Sequence, residues 1–444
     1  MRRIYEPFGY GDGPVEHCYW DTTIARPARA APLAGDVHAE IAIIGAGFTG
    51  LSAALHLARD AGADVAVIEA KGIAWGASGR NGGFASIGGT KAKDATLLRR
   101  FGAAALDEWH AVQRETPALV TEILERYGID ADTHSHEGEI CLAHRPRDFE
   151  AFREWAQALA RAYGVETELI GRGELAARGM GGTAFHGAMR LGLGFALNPL
   201  KYVLGLAAAA RAEGARIYEE SPVLRVSHEN GRHVLHSAQG RLIARRLIVA
   251  TNGYSSEDVP DWMAGRYLPA QSAVLVTREL TADEIAAQGW SSTAMAYDTR
   301  NLLHYFRLMP NGRFLFGARG GTGASQPALE RRRGLLRADF DTMFPAWAGV
   351  ETAHYWSGFV CMTRALTPYI GAIGGVDDAW AGFGWHGNGV ALGTWAGRCL
   401  ARLATGQGGV PALMARQPGR IPLGAARRFI LPLAYGWYGW EDRG

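Results

Sequence analysis

A chain of 444 residues is longer than one hydrophobic core usually fills, so two domains sharing a cleft are expected. With 46 Lys and Arg against 44 Asp and Glu, the net charge is +2 and no block of like charge stands out, which excludes the footprint of a nucleic-acid partner and gives no strong membrane signal. The four cysteines, Cys18, Cys141, Cys361 and Cys399, lack C-x-x-C spacing, which argues against a disulfide framework or a metal site and for a reducing cytoplasm.

Residues 1–35 read as an N-terminal extension without the apolar core of a signal peptide. The run "EIAIIG" has the β-branched content of a buried parallel strand, and "GLSAALHLARD" has helical apolar spacing. Between them Gly45, Gly47 and Gly50 form G-x-G-x-x-G. Gly45 allows the tight turn, Gly47 lets the backbone approach a pyrophosphate, and Gly50 lets helix pack on strand. A second strand, "ADVAVIEA", ends at Glu69, placed to accept hydrogen bonds from ribose hydroxyls while the helix N-terminus faces the phosphates. The glycine-rich loop "KGIAWGASGRNGGF" follows where a simple NAD domain would proceed to another helix. It suits a cofactor that extends beyond its pyrophosphate, with Ser78 and backbone amides on phosphate and Trp75, Arg80, Asn81, Gly82 and Gly83 near a ring system.

Residues 96–190 read as amphipathic helices, and "LKYVLGLAAAARAEG" as another. From Ala215 to Ala250 the pattern is that of antiparallel strands broken by "NG" and "QG", ending in a buried strand. Residues 265–320 read as strands containing the hairpin "LLHYFRLMPNGRFLFGAR". A second G-x-G-x-x-G, at Gly382, Gly384 and Gly387, follows only the short run "AWA", and no strand with an acidic end lies about 20 residues beyond it. It therefore does not found a second nucleotide site. Instead "GNGVALGTWAGRCLARLATG" begins a helix whose first turn is expected at Gly387–Val390. The aromatic "FILPLAYGWYGW" is too short to span a membrane and reads as a terminal helix packed on the body.

These motifs, in this order, resemble the D-amino-acid oxidase (DAO) superfamily of flavoproteins, and within it the gamma-glutamylputrescine oxidoreductase branch. The likeness runs from "CYWDTTIARPARAAPLAGDVHAEIAIIGAGFTG" through "LIVATNGYSS" and "YFRLMPNGRFLFGAR" to "GFVCMTRALTPYIGAI" and "GFGWHGNGVALGTWAGRCLARLATG". It implies an FAD-dependent oxidoreductase of α/β class: a discontinuous Rossmann-like FAD-binding domain (36–95, 191–256 and 355–410), an inserted α+β substrate domain on a mostly antiparallel sheet (96–190 and 257–354), and a helical tail (411–444). It also implies cofactor contacts from Phe48, Thr49, Ala70, Val223, Thr251 and Asn252, and, at the flavin end, from Gly384, Gly387, Asn388, Gly389 and Val390. Cys361, in "VCMT", is the candidate for covalent flavin attachment.

The implied reaction is oxidation of a small-molecule amine. Hydride leaves the α-carbon for flavin N5, and water hydrolyses the imine, so the protein supplies orientation, desolvation and help with one proton. Tyr305 and Arg307, on one face of the hairpin strand, and Trp385 and His386, beside the flavin-facing glycines, are expected to line the pocket. Each has a structural alternative: core aromatics for Tyr305 and Trp385, an ion pair for Arg307, a backbone partner for His386. Two departures stand out. Relatives acting on free amino acids often carry an arginine where this chain has Val360 or Cys361, so a carboxylate clamp is not expected there. Lysine occurs only at Lys71, Lys91, Lys93 and Lys201, earlier than the lysine that assists oxygen in sarcosine oxidases. Oxygen and a quinone both stay open as electron acceptor, and D-amino-acid, glycine or sarcosine oxidation and a non-catalytic electron relay are the alternative functions.

Overall fold

In the computed structural model, which describes residues 1–442, the β-branched run becomes the strand Gly35–Ile44, whose last residues are fully buried. It pairs in parallel with Val65–Ile68 on one side and Gly240–Val249 on the other. The sheet continues outward to Arg216–Tyr218 and, beyond Gly240–Val249, to Ala379–Phe383 and Tyr369–Ala372. Sequence segments more than 300 residues apart thus share one sheet, and the dinucleotide unit is discontinuous. A hairpin of Arg225–Glu229 and Arg232–His236 flanks it.

One face of this sheet carries the helices Phe48–Ala61, Pro199–Ala212 and Ala391–Ala404. Small residues bring the first and last together: a Cβ on Gly397 would lie 2.5 Å from the Thr49 carbonyl oxygen, and one on Gly393 3.1 Å from Thr49 Oγ1. The two helix N-termini consequently sit side by side, one after each glycine motif. Two ends of a single dinucleotide have a platform here.

The second sheet runs in the order Thr352–Met362, Leu268–Glu279, Arg313–Arg319, His304–Leu308, Met295–Asp298, Glu139–Leu142, Gly187–Leu191 and Thr167–Gly171. Every pairing is antiparallel except Met295–Asp298 with Glu139–Leu142. Its hairpin turns at Gly312, whose φ of +76° explains the "NG" signal. One face packs Phe306, Phe314 and Phe316 against Phe340, Phe344 and Trp347 of the Gln326–Met343 region. Alternation along the strands turns Tyr305, Gly317 and Arg319 to the opposite face.

Three boundaries differ from the sequence expectation. Thr352–Met362, expected with the FAD unit from residue 355, is the edge strand of the second sheet, because its partner Leu268–Glu279 lies there. Within 96–190, three strands accompany the helices, and the Ala103–Arg126 helix packs its Trp109, Val120 and Ile123 into the core under Ala391–Ala404. The helix expected to start at Gly387 begins at Ala391, so Gly387–Val390 form the turn that leads into it. Among the described residues no helix is long and apolar enough to cross a membrane.

Candidate FAD site and substrate face

At the first glycine motif each glycine is required by a neighbour. Gly45 has φ +106°, and a Cβ there would stand 3.0 Å from the Ala250 carbonyl oxygen; at Gly50 it would stand 1.9 Å from the Gly45 oxygen. At Gly47 it would stand 2.8 Å from Ser78 Oγ, which accepts the Phe48 N–H at 3.0 Å. Gly47 supplies no side-chain N-cap and Ser78 takes only the Phe48 N–H, so the Thr49 and Gly50 amides of the first turn are left for an anion. Glu69 accepts from the Ala46 and Lys71 amides at 2.7 and 3.1 Å, which fixes its carboxylate beside the motif although burial pushes it up.

A cavity of about 810 Å³ runs from this end to the second motif. Thr49, Ala70, Trp75, Asn81, Val223, Thr251 and Asn252 all line it, as do Trp385, Gly387, Gly389 and Val390. The elongated, largely apolar space, with a bare helix N-terminus at a cradle a Cβ would fill, fits an extended dinucleotide. Two residues of the loop do other work. Arg80 is buried and donates to the Ser357 and Gly76 carbonyl oxygens and to the Tyr254 hydroxyl, stacked over Trp75; it braces the loop and does not face the cavity. Asn81 closes the loop on itself through Ala77, Ser78 and Gly83. Gly83, at φ +74°, leaves no room for a side chain against the Leu197 carbonyl oxygen, and Gly82 leaves room for the Tyr305 ring.

Sequence reasoning missed one wall. Met1, Arg3, Tyr5, Pro7 and Tyr10, from the expected N-terminal extension, line the same cavity. Arg3 donates to the Tyr254 and Ser255 carbonyl oxygens, and its guanidinium stacks over Tyr10 at 4.8 Å.

At the other end, Gly384 (φ +85°) donates its N–H to Asn252 Oδ1 at 2.9 Å, tying the two strand ends together. Trp385 is buried and packs on Gly389. His386 is fully buried; its Nδ1 bonds the Gly89 carbonyl oxygen at 2.8 Å and its Nε2 accepts the Thr363 N–H at 3.2 Å. Burial pushes it down to about 3, so it is a neutral cross-link with no nitrogen free to exchange a proton with substrate. Asn388 points away from the cavity, donating to the Ile87 carbonyl oxygen at 2.7 Å and to Ser86 Oγ at 3.3 Å. Cys361 lies on the cavity wall, but burial pushes its thiol up to about 12, which keeps it protonated and a weak nucleophile.

The Tyr305 face of the second sheet differs most from expectation. Tyr305 is there, its hydroxyl 3.0 Å from Ser272 Oγ and its ring edge-on to Phe84. Arg307 shares that face but lies farther along the strand, between Trp20 and Phe84, where it donates to the Leu197 carbonyl oxygen at 2.9 Å and lines a separate cavity of about 600 Å³ with His134 and Asn198. One strand away stands Arg319, which the sequence reading did not select. Its Nη2 donates to the His386 carbonyl oxygen at 2.7 Å and fills the space a side chain at Gly387 would need. Arg332 donates to the Arg319 carbonyl oxygen at 3.1 Å, and Lys91 is within electrostatic reach of both Arg319 and His386. Among the described residues no carboxylate pairs with Arg319, while Asp339 is within electrostatic reach of Arg332. The signal was available: "FLFGAR" alternates, so Arg319 shares the face of Gly317, the cross-strand partner of Tyr305.

Comparison with known proteins identifies the family. Residues 40–403 match the family model described as DAO, FAD dependent oxidoreductase. The chain is 30% identical over 436 residues to the "Probable oxidoreductase OrdL" of Rhizobium meliloti, covering 96% of this chain and 97% of that one. It is 29% identical over 389 residues to the "Gamma-glutamylputrescine oxidoreductase" of Escherichia coli, covering 87% and 88%. Among solved structures, glycine oxidase from Geobacillus kaustophilus superposes with a TM-score of 0.69 at 21% identity, over 86% of this chain and all of that one. The structural neighbours include flavoproteins such as an L-alpha-glycerophosphate oxidase from Mycoplasma pneumoniae with FAD bound. The chain is a member of the DAO family of FAD-dependent oxidoreductases.

Proposed function

We propose that this enzyme oxidises an amine that carries a carboxylate, of the gamma-glutamylputrescine type, with the resulting imine hydrolysed to a carbonyl compound. The observation that carries the reading is Arg319, a guanidinium held at the site without an anionic partner. A desolvated cation left unpaired is costly, and a carboxylate accepting two parallel N–H bonds is the ligand that its fork fits best. The absence of an arginine at Val360 therefore does not argue against a carboxylate, because a guanidinium reaches the site from a different strand.

FAD bound in the long cavity supplies the two-electron acceptor for the α-carbon's hydride. The chain's own residues do the rest. Arg319 fixes one end of the substrate, Tyr305 presents a hydroxyl held by Ser272, and the Trp385, Tyr305 and Phe84 rings exclude water from the reacting carbon. Neutral His386 adds no positive charge that would repel the substrate's amine. Trp385 and Tyr305 are proposed as substrate-contacting residues; His386 and Arg307 are proposed as structural.

Glycine, sarcosine or a D-amino acid carries its carboxylate on a carbon bonded directly to the amine nitrogen, much closer to the reacting centre. Anaerobic bleaching of the flavin by a panel of amines separates these readings. Fast bleaching by gamma-glutamylputrescine, and loss of that bleaching when its carboxylate is esterified, is the expected result; bleaching by sarcosine or glycine alone would replace it. Oxygen or a quinone then takes the electrons. We place the protein in a reducing, cytoplasmic setting, supported by four buried cysteines that stay unpaired.

A further inference from the structure

The face of the His304–Leu308 and Arg313–Arg319 hairpin that carries Tyr305 and Arg319 also carries Arg307 and Arg313, nearer its turn. These two line the second cavity, of about 600 Å³, which the proposed oxidation does not use. Arg307 pairs across the hairpin with Leu315, so Arg313 is its diagonal neighbour, roughly 7–8 Å away between Cβ atoms. Trp20, Leu197, Asn198 and Met309 form the buried floor of the cavity, and Thr22, Asp132 and Asn311 its exposed rim.

Arg307 is 1% exposed, and its charge is left over from the contacts it makes. Nη2 donates to the Leu197 carbonyl oxygen at 2.9 Å, Nη1 lies 3.3 Å from His134 Nε2, and the buried Nε has no partner. Neither hydrogen bond requires a cation. His134 is neutral, pushed down to about 4 by burial and by Arg307 itself. Asp132, the carboxylate on the rim, is taken: Oδ1 pairs with Lys201 Nζ at 2.6 Å, and Oδ2 accepts from Asn198 Nδ2 at 3.1 Å. It is within electrostatic reach of Arg307 without forming an ion pair with it. Arg313 donates to the Thr277 carbonyl oxygen at 3.1 Å and has no carboxylate partner among the described residues. Asn198 caps the Pro199–Ala212 helix, so the positive end of that helix dipole borders the same space.

We propose that this cavity is a second ligand site, for a short organic dicarboxylate that sets one carboxylate on Arg307 and the other on Arg313. A buried guanidinium without an anion is costly, and a carboxylate offers its fork two parallel acceptors. A short chain with an acid at each end spans the diagonal between the two guanidiniums; an inorganic ion does not. The cavity is also much larger than such an ion, and its Trp20, Leu197 and Met309 walls suit the carbon chain between the acids. The site lies behind the cofactor loop: Trp20 Nε1 donates to the Asn81 carbonyl oxygen at 2.8 Å, and Arg307 Nη2 occupies the place of a side chain at Gly83. No residue lines both this cavity and the long one that fits FAD.

Isothermal titration calorimetry of glutarate into holoenzyme, without amine, tests the site whichever amine is oxidised. The expected result is binding at a single site in the wild type, about tenfold or more weaker in Arg307→Met and in Arg313→Gln, and unchanged in Arg319→Met. Sulfate, the inorganic control, is expected to bind more weakly than glutarate. If Arg307→Met does not fold, Arg313→Gln, which alters a partly exposed side chain, carries the same test. A wild type that binds no glutarate overturns the proposal. So does binding lost in Arg319→Met and kept in Arg307→Met or Arg313→Gln, which would put glutarate at the Tyr305 end of the face. Sulfate binding as tightly as glutarate overturns it too, as an adventitious anion site only.

Discussion

In the proposed function, Arg319 is the one guanidinium that holds the substrate's carboxylate. Its Nη2 is anchored to the His386 carbonyl oxygen, which orients the group and leaves the other donors of the fork for a ligand. Removing it leaves a bound carboxylate without its charge-assisted hydrogen bonds, a loss of about 2–4 kcal/mol, or roughly 30- to 1,000-fold in kcat/KM. Arg319→Met should therefore weaken kcat/KM by that range for a carboxylate-bearing amine while leaving FAD content and the rate with its ester unchanged. Equal losses on acid and ester would assign Arg319 to the cofactor or to folding instead. His386 is the contrasting case. It neighbours the same glycines, yet both ring nitrogens are spent on Gly89 and Thr363, and its backbone carbonyl, not its ring, serves the site.

Among the elements, the N-terminal segment was the least legible. Gly45, Gly47, Gly50 and Glu69 could be read because their chemistry is local: turn, helix N-terminus and strand end lie within one βαβ unit. Residues 1–10 carry no such pattern, and only tertiary packing brings Tyr5 onto Phe359 and Arg3 onto Tyr254, more than 250 positions away. Arg319 was hidden for a similar reason, since its proximity to Gly387 depends on how a strand of one sheet ends over a turn of the other. The edge strand Thr352–Met362 was misassigned because alternation alone does not say which sheet a strand joins. The packing of residues 1–10 has a consequence that can be measured. Deleting residues 2–10 should remove one wall of the cavity and raise the FAD dissociation constant by about tenfold or more, as 1.4 kcal/mol of lost contact would. Unchanged affinity in a folded deletion variant would show that the segment only covers the surface.

For the molecule as a whole, joining two sheets around one long cavity buries titratable groups that open water would leave at their ordinary values, and their protons report on stability. His56, in the Phe48–Ala61 helix, is 2% exposed and pushed down by burial to about 4; His386 is fully buried and pushed down to about 3. Unfolded, both bind protons near 6.5, so below that pH the unfolded chain holds up to two protons that the folded one refuses, and stability falls as pH drops from 6.5 toward 4. Glu139 acts with the opposite sign. Its folded value near 7 lies above its ordinary 4.5, so between those limits the folded chain holds the extra proton and stability falls as pH rises. Each net proton is worth about 1.4 kcal/mol per pH unit. Urea denaturation of apoprotein between pH 4.5 and 6.5 should therefore show wild-type stability decreasing toward acid. His56→Met, which removes one refused proton, should flatten that decline, and Glu139→Gln, which removes the compensating one, should steepen it. Two variants moving the slope in the same direction, or neither moving it, would mean that these groups are not buried in the protonation states the fold assigns them.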